Sequence, residues 1–151
     1  MAIKLPSQSF VALAAVGWAD GTLKRAEAIA LVDAAGKCGL AGEELAAVES
    51  STRARVALDA FDPGAMTEWE RVLTYALASW LATLDGVQST DESAVLRLLG
   101  QRLGLADPLR HRAAAAAFDI SVLPQGGRPD RYDFDKLAAR LHEKLPQVAA
   151  S

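Results

Sequence analysis

A chain of 151 residues, 51% apolar and 23% charged, with a formal net charge of −3, has the composition of one compact globular domain. It is too apolar for intrinsic disorder, and it lacks the basic excess on which sequence-independent nucleic-acid binding depends. Cys38 is the lone cysteine, so no internal disulfide can form, and a reducing compartment fits.

No apolar run reaches the length of a membrane span; Val11–Ala19 covers about half of one. The opening Met1-Ala2-Ile3-Lys4-Leu5-Pro6 has no basic stretch followed by a long apolar core. A cytoplasmic protein without a transmembrane segment is the expectation. There are 31 Ala and 21 Leu against 10 Val and 3 Ile. Ala and Leu lose least on entering a helix, whereas β-branched residues favour strands. The expected class is all-α.

In chain order, a first helix is predicted over about Gln8–Ala19, with Phe10, Leu13 and Val16 on one face, stopping at Asp20-Gly21. A second runs over about Arg25–Cys38 to a C′ glycine, Gly39. A third begins near Gly42 and is expected to continue to about Ala60, before the breaker Asp62-Pro63-Gly64. Thr67-Glu68-Trp69-Glu70 reads as a capping box opening a fourth helix, whose stripe is Leu73, Leu77, Trp80 and Leu84. That helix ends at Asp85-Gly86.

Ser89-Thr90-Asp91-Glu92 is a second capping box, and the fifth helix carries Leu96, Leu99 and Leu103 to Gly104. Asp107-Pro108 supplies an N-cap and a first-turn proline for a sixth helix through about Phe118. Ser121–Arg131, with Pro124, Gly126, Gly127 and Pro129, reads as loop. A seventh helix is expected over about Phe134–Leu145, with Phe134, Leu137, Leu141 and Leu145 as its stripe.

The chain also resembles itself. Slid by 65 positions, Asp20-Gly21 falls on Asp85-Gly86, Glu27 on Glu92, Leu31 on Leu96, and Gly39-Leu40-Ala41 on Gly104-Leu105-Ala106. Two three-helix units, about residues 8–60 and 73–118, are expected to share one core about a pseudo-two-fold axis, with the seventh helix added. Neither half alone would bury much core.

Each repeated glycine supplies the left-handed conformation that ends a helix. Glu92 is accounted for as a partner in the Ser89 capping box. Lys24 stands where Ser89 stands, so Glu27 has no such explanation. Asp20 and Asp85 sit at helix C-termini, where a carboxylate faces the negative end of the dipole at a cost of up to about 1 kcal/mol. Either the next helix's N-terminus or a cation could offset that cost. An EF-hand does not fit: it needs oxygen ligands where the chain has Trp18 and Val16, and again Thr83 and Leu81.

Ala19-Asp20-Gly21…Glu27 with Gly39-Leu40, repeated as Leu84-Asp85-Gly86…Glu92 with Gly104-Leu105, resembles the TerB-like family of tellurite-resistance proteins over about residues 8–118. The resemblance implies a cytoplasmic seven-helix fold without catalytic activity, linked to bacterial resistance to tellurite, phage and colicins. It also implies divalent-metal binding by Asp20, Glu27, Asp85 and Glu92. Lys24-Arg25 beside Glu27, and Gln88 in the place of Leu23, depart from the repeat. Hard oxygen ligands favour Ca²⁺, Mg²⁺ or Mn²⁺.

Other residues suggest no chemistry. His111, in Arg110-His111-Arg112, reads as a solvated helix start, and His142 as part of a polar face. Cys38 reads as a small hydrophobe and Trp18, Trp69 and Trp80 as core anchors. Gly126-Gly127-Arg128 lacks the spacing of a phosphate loop. No enzyme is expected. The rival function is an α-helical module that binds a partner protein through an apolar face or groove, with the acidic residues serving only as caps.

Overall fold

The computed structural model describes residues 6–19, 25–37, 39–57, 61, 64, 66–83, 90–121, 139 and 143. Among them are six α-helices and no strand: α1 Ser7–Ala19, α2 Arg25–Lys37, α3 Glu43–Arg53, α4 Glu68–Thr83, α5 Thr90–Arg102 and α6 Asp107–Ser121. The all-α expectation holds for these residues. Of the segment expected to form a seventh helix, only Ala139 and Glu143 are described, both helical, and the rest lies outside the described residues. The loop after Ser121 lies outside the described residues.

α4 is the most enclosed element. Its stripe residues Leu73, Leu77 and Trp80 are buried, but so is every residue from Val72 to Trp80, the polar Thr74 and Ser79 included. This follows from its position: α4 packs against α1, α5 and, most extensively, α6. Helix α1 is its counterpart, packed on α2, α3, α4 and α5, with Phe10 and Ala12–Ala15 buried. Small alanines are buried on α1, α4 and α6, and Phe10, Phe61, Leu99 and Leu103 are among the largest fully buried side chains. Among the described residues, the buried apolar side chains other than Ala15 belong to one cluster.

The helix ends follow local chemistry. Thr67 Oγ1 accepts the Glu70 N–H at 3.1 Å while the Glu70 carboxylate accepts the Thr67 N–H at 2.7 Å, so the capping box of α4 is closed in both directions. Gly39 and Gly104 adopt φ of 90° and 71°. Gly39 N–H donates to Gly36 O, and Leu40 N–H to Ala35 O, both at 3.1 Å. Gly104 N–H donates to Gln101 O, and Leu105 N–H to Gly100 O, both at 3.0 Å. Both helices therefore end in a Schellman motif, with a buried leucine after the glycine. Arg71 adds a cation at the second of these ends, donating to Leu103 O at 3.4 Å and to Met66 O at 3.2 Å.

Two boundaries differ from expectation. The third helix stops at Arg53, not near Ala60, because Ala54 turns to extended backbone at φ −134°. The preceding hydroxyls favour that exit: Ser51 and Thr52 fold back on the carbonyls of Val48 and Glu49, at 2.6 and 2.7 Å. The sixth helix opens one residue early. Ala106 O accepts the Arg110 N–H at 3.0 Å, so Asp107 is the first helical residue and not the N-cap. Its carboxylate engages the Arg110 guanidinium instead.

The element bounds repeat along the chain. α2 and α5 each contain 13 residues, and both begin and end at positions related by the shift of 65. The same shift carries α1 onto α4 and α3 onto α6 within a few residues. Ser9 and Thr74, also 65 apart, meet in the buried contact between α1 and α4, with Oγ and Oγ1 2.9 Å apart.

Candidate functional site

The two Asp-Gly pairs fall in the sequence between α1 and α2 and between α4 and α5. Asp20, Gly21, Lys24, Asp85, Gly86 and Ser89 lie outside the described residues. Glu27 is in the first turn of α2 and Glu92 in that of α5, at matching positions, but their side chains are likewise outside the described part. Among the described residues, no group of three or more His, Cys, Asp or Glu could hold a metal ion. By residue type, Asp20, Glu27, Asp85 and Glu92 offer carboxylate oxygens, the donors that Ca²⁺, Mg²⁺ and Mn²⁺ prefer.

The approach to the first turn is fixed by Trp18. Its indole N–H donates to Ser51 O at 2.8 Å, tying the end of α1 to the last turn of α3. Trp18 is half-buried against the core; the sequence expectation found its apolar role but not this hydrogen bond. Trp80 is buried and Trp69 half-buried. His111 is exposed near the start of α6, as expected. Cys38 and His142 lie outside the described residues.

Between α2 and α3 runs a shallow, open groove of about 410 Å³, lined by Ala28, Ile29, Val32, Asp33, Glu49, Thr52 and Arg53. Its volume lies within the range of small-ligand and side-chain pockets. Ala28 and Val32 form a floor against the core, and Ile29 stands 54% exposed beside them. Glu49 and Arg53, one helical turn apart, approach to 3.9 Å. Sequence reading missed this groove because its residues come from two helices and carry no motif.

A second polar place lies between α4 and α6. Burial raises the Tyr75 phenol above its ordinary pKa, opposed by the nearby Arg110 guanidinium and the neighbouring Ser79 hydroxyl. Arg110 in turn bonds Asp107, and that bond, with the charge of Arg110, holds the Asp107 carboxyl below its ordinary pKa. Ser79 Oγ is buried and makes no hydrogen bond of normal geometry. The Arg110 stem crosses the face of Gly100: a Cβ built there would lie 2.3 Å from Arg110 Cδ. This cluster joins α6 to α4 and α5.

Among the described residues, no helix is long and apolar enough to cross a membrane. Compared with family models, curated proteins and solved structures, the chain matches none of them.

Proposed function

We propose that the chain is a non-catalytic, TerB-like helical protein of the cytoplasm, serving a stress response of the tellurite-resistance type. In this reading it comprises two copies of a three-helix unit plus a C-terminal helix, and its Asp-Gly turns bind a divalent cation. The observation that supports it best is the contact of Ser9 with Thr74. In a two-fold arrangement a residue on the axis meets its own equivalent, and these two residues are equivalent under the shift that relates the Asp-Gly turns. The matched bounds of α2 and α5 and the paired Schellman motifs support the same duplication.

The axis also constrains the metal site. Ser9 precedes the end of α1 at Ala19 by ten residues, so the first turn follows about 15 Å along the helix from the axis. All four carboxylates can share one ion only if α1 and α4 leave the axis in similar directions. Otherwise each unit holds its own ion, through Asp20 with Glu27 or Asp85 with Glu92. Carboxylates held close together repel, raising some of their pKa values and destabilising the metal-free protein. A bound cation relieves that repulsion and stabilises the fold by mass action.

Thermal melts of wild type, Asp20→Asn and Asp85→Asn in EDTA and in millimolar Ca²⁺, Mg²⁺ or Mn²⁺ test this. Wild type should melt higher with at least one ion; the variants should be no less stable in EDTA and should lose the metal gain. If both variants lose it, the ion is shared. If wild type shows no shift with any ion, the metal reading fails.

A second reading, favoured by the groove between α2 and α3, is a module that docks a partner protein. It requires no metal.

A further inference from the structure

We draw no further inference here: the strongest candidate, the shallow groove between α2 and α3 beside the exposed Ile29, offers an apolar floor, but nothing in the structure shows what covers it.

Discussion

The same substitution should act with opposite sign at two helical glycines. Gly36, near the end of α2, has nothing within 4 Å of the place a Cβ would occupy. Gly36→Ala should therefore stabilise, by roughly 0.5–1 kcal/mol, through lower entropy of the unfolded chain and better helix propensity. Gly100 has the same propensity to gain in α5, but its new Cβ would meet Arg110 Cδ at 2.3 Å and Cγ at 3.3 Å. Both atoms belong to the stem, so the whole Arg110 side chain has to move, and its side chain is only 15% exposed.

Overpacking of this kind costs about 1–3 kcal/mol. Set against a propensity gain of up to about 1 kcal/mol, Gly100→Ala should destabilise by about 1 kcal/mol. For a domain of this size that is a fall of about 2–4 °C in Tm. Urea and thermal melts of both single variants measure the two signs. Adding Arg110→Ala removes the obstruction: in that background Gly100→Ala should stabilise, giving a coupling of about 1–2 kcal/mol in a double-mutant cycle. If Gly100→Ala stabilises the wild-type chain as much as Gly36→Ala does, Arg110 does not lie against that face of α5.

Three further outcomes are expected. Thr67→Ala removes the acceptor for the Glu70 N–H and should cost about 1 kcal/mol by chemical denaturation; no loss would mean that the capping box does not hold α4. Gly39→Ala and Gly104→Ala both force alanine to positive φ and should each cost about 1–2 kcal/mol, whereas a cost confined to one would break the equivalence of the two helix ends. Burial raises the Tyr75 pKa on folding, so the neutral phenol's contribution is fully present below the unfolded value of 10.0 and is lost as pH rises through the higher folded value. Tyr75→Phe should accordingly flatten the loss of stability above pH 10.0, and an unchanged alkaline slope would refute the buried phenol.

Where one local signal decides the outcome, the sequence was a sufficient guide. Glycine followed by leucine marked both Schellman ends, Thr67 with Glu70 marked the start of α4, and the Leu96–Leu99–Leu103 stripe marked the buried face of α5. Where tertiary packing competes, it was not. Periodicity gave α4 a stripe, but contact with three helices buries its whole middle section. The next breaker, at Asp62-Pro63-Gly64, suggested a third helix through about Ala60, whereas it ends at Arg53, where hydroxyls bond carbonyls three residues back.

The groove between α2 and α3 could not be read at all. Ile29 and Arg53 are 24 positions apart, and only the turn at Gly39–Gly42 makes them neighbours. For the candidate metal residues, sequence supplied identity and spacing. Convergence depends on the direction in which two helices leave their crossing, which no spacing encodes.

The buried contact between α1 and α4 carries a fixed proton order. Thr74 Oγ1 lies 2.7 Å from Glu70 O and 2.9 Å from Ser9 Oγ. A hydroxyl has one proton and a carbonyl can only accept, so the Thr74 proton goes to Glu70 and Ser9 donates to Thr74. The relay therefore runs one way, from α1 into α4. In a dimer of identical units, the two hydroxyls on the axis would be free to exchange donor and acceptor roles. In a single chain each position can specialise, with a serine on α1 that donates and a threonine on α4 that accepts from it and donates to its own helix. The proton order thus makes the buried contact between the two helices directional, and exchanging the two residues would not preserve it.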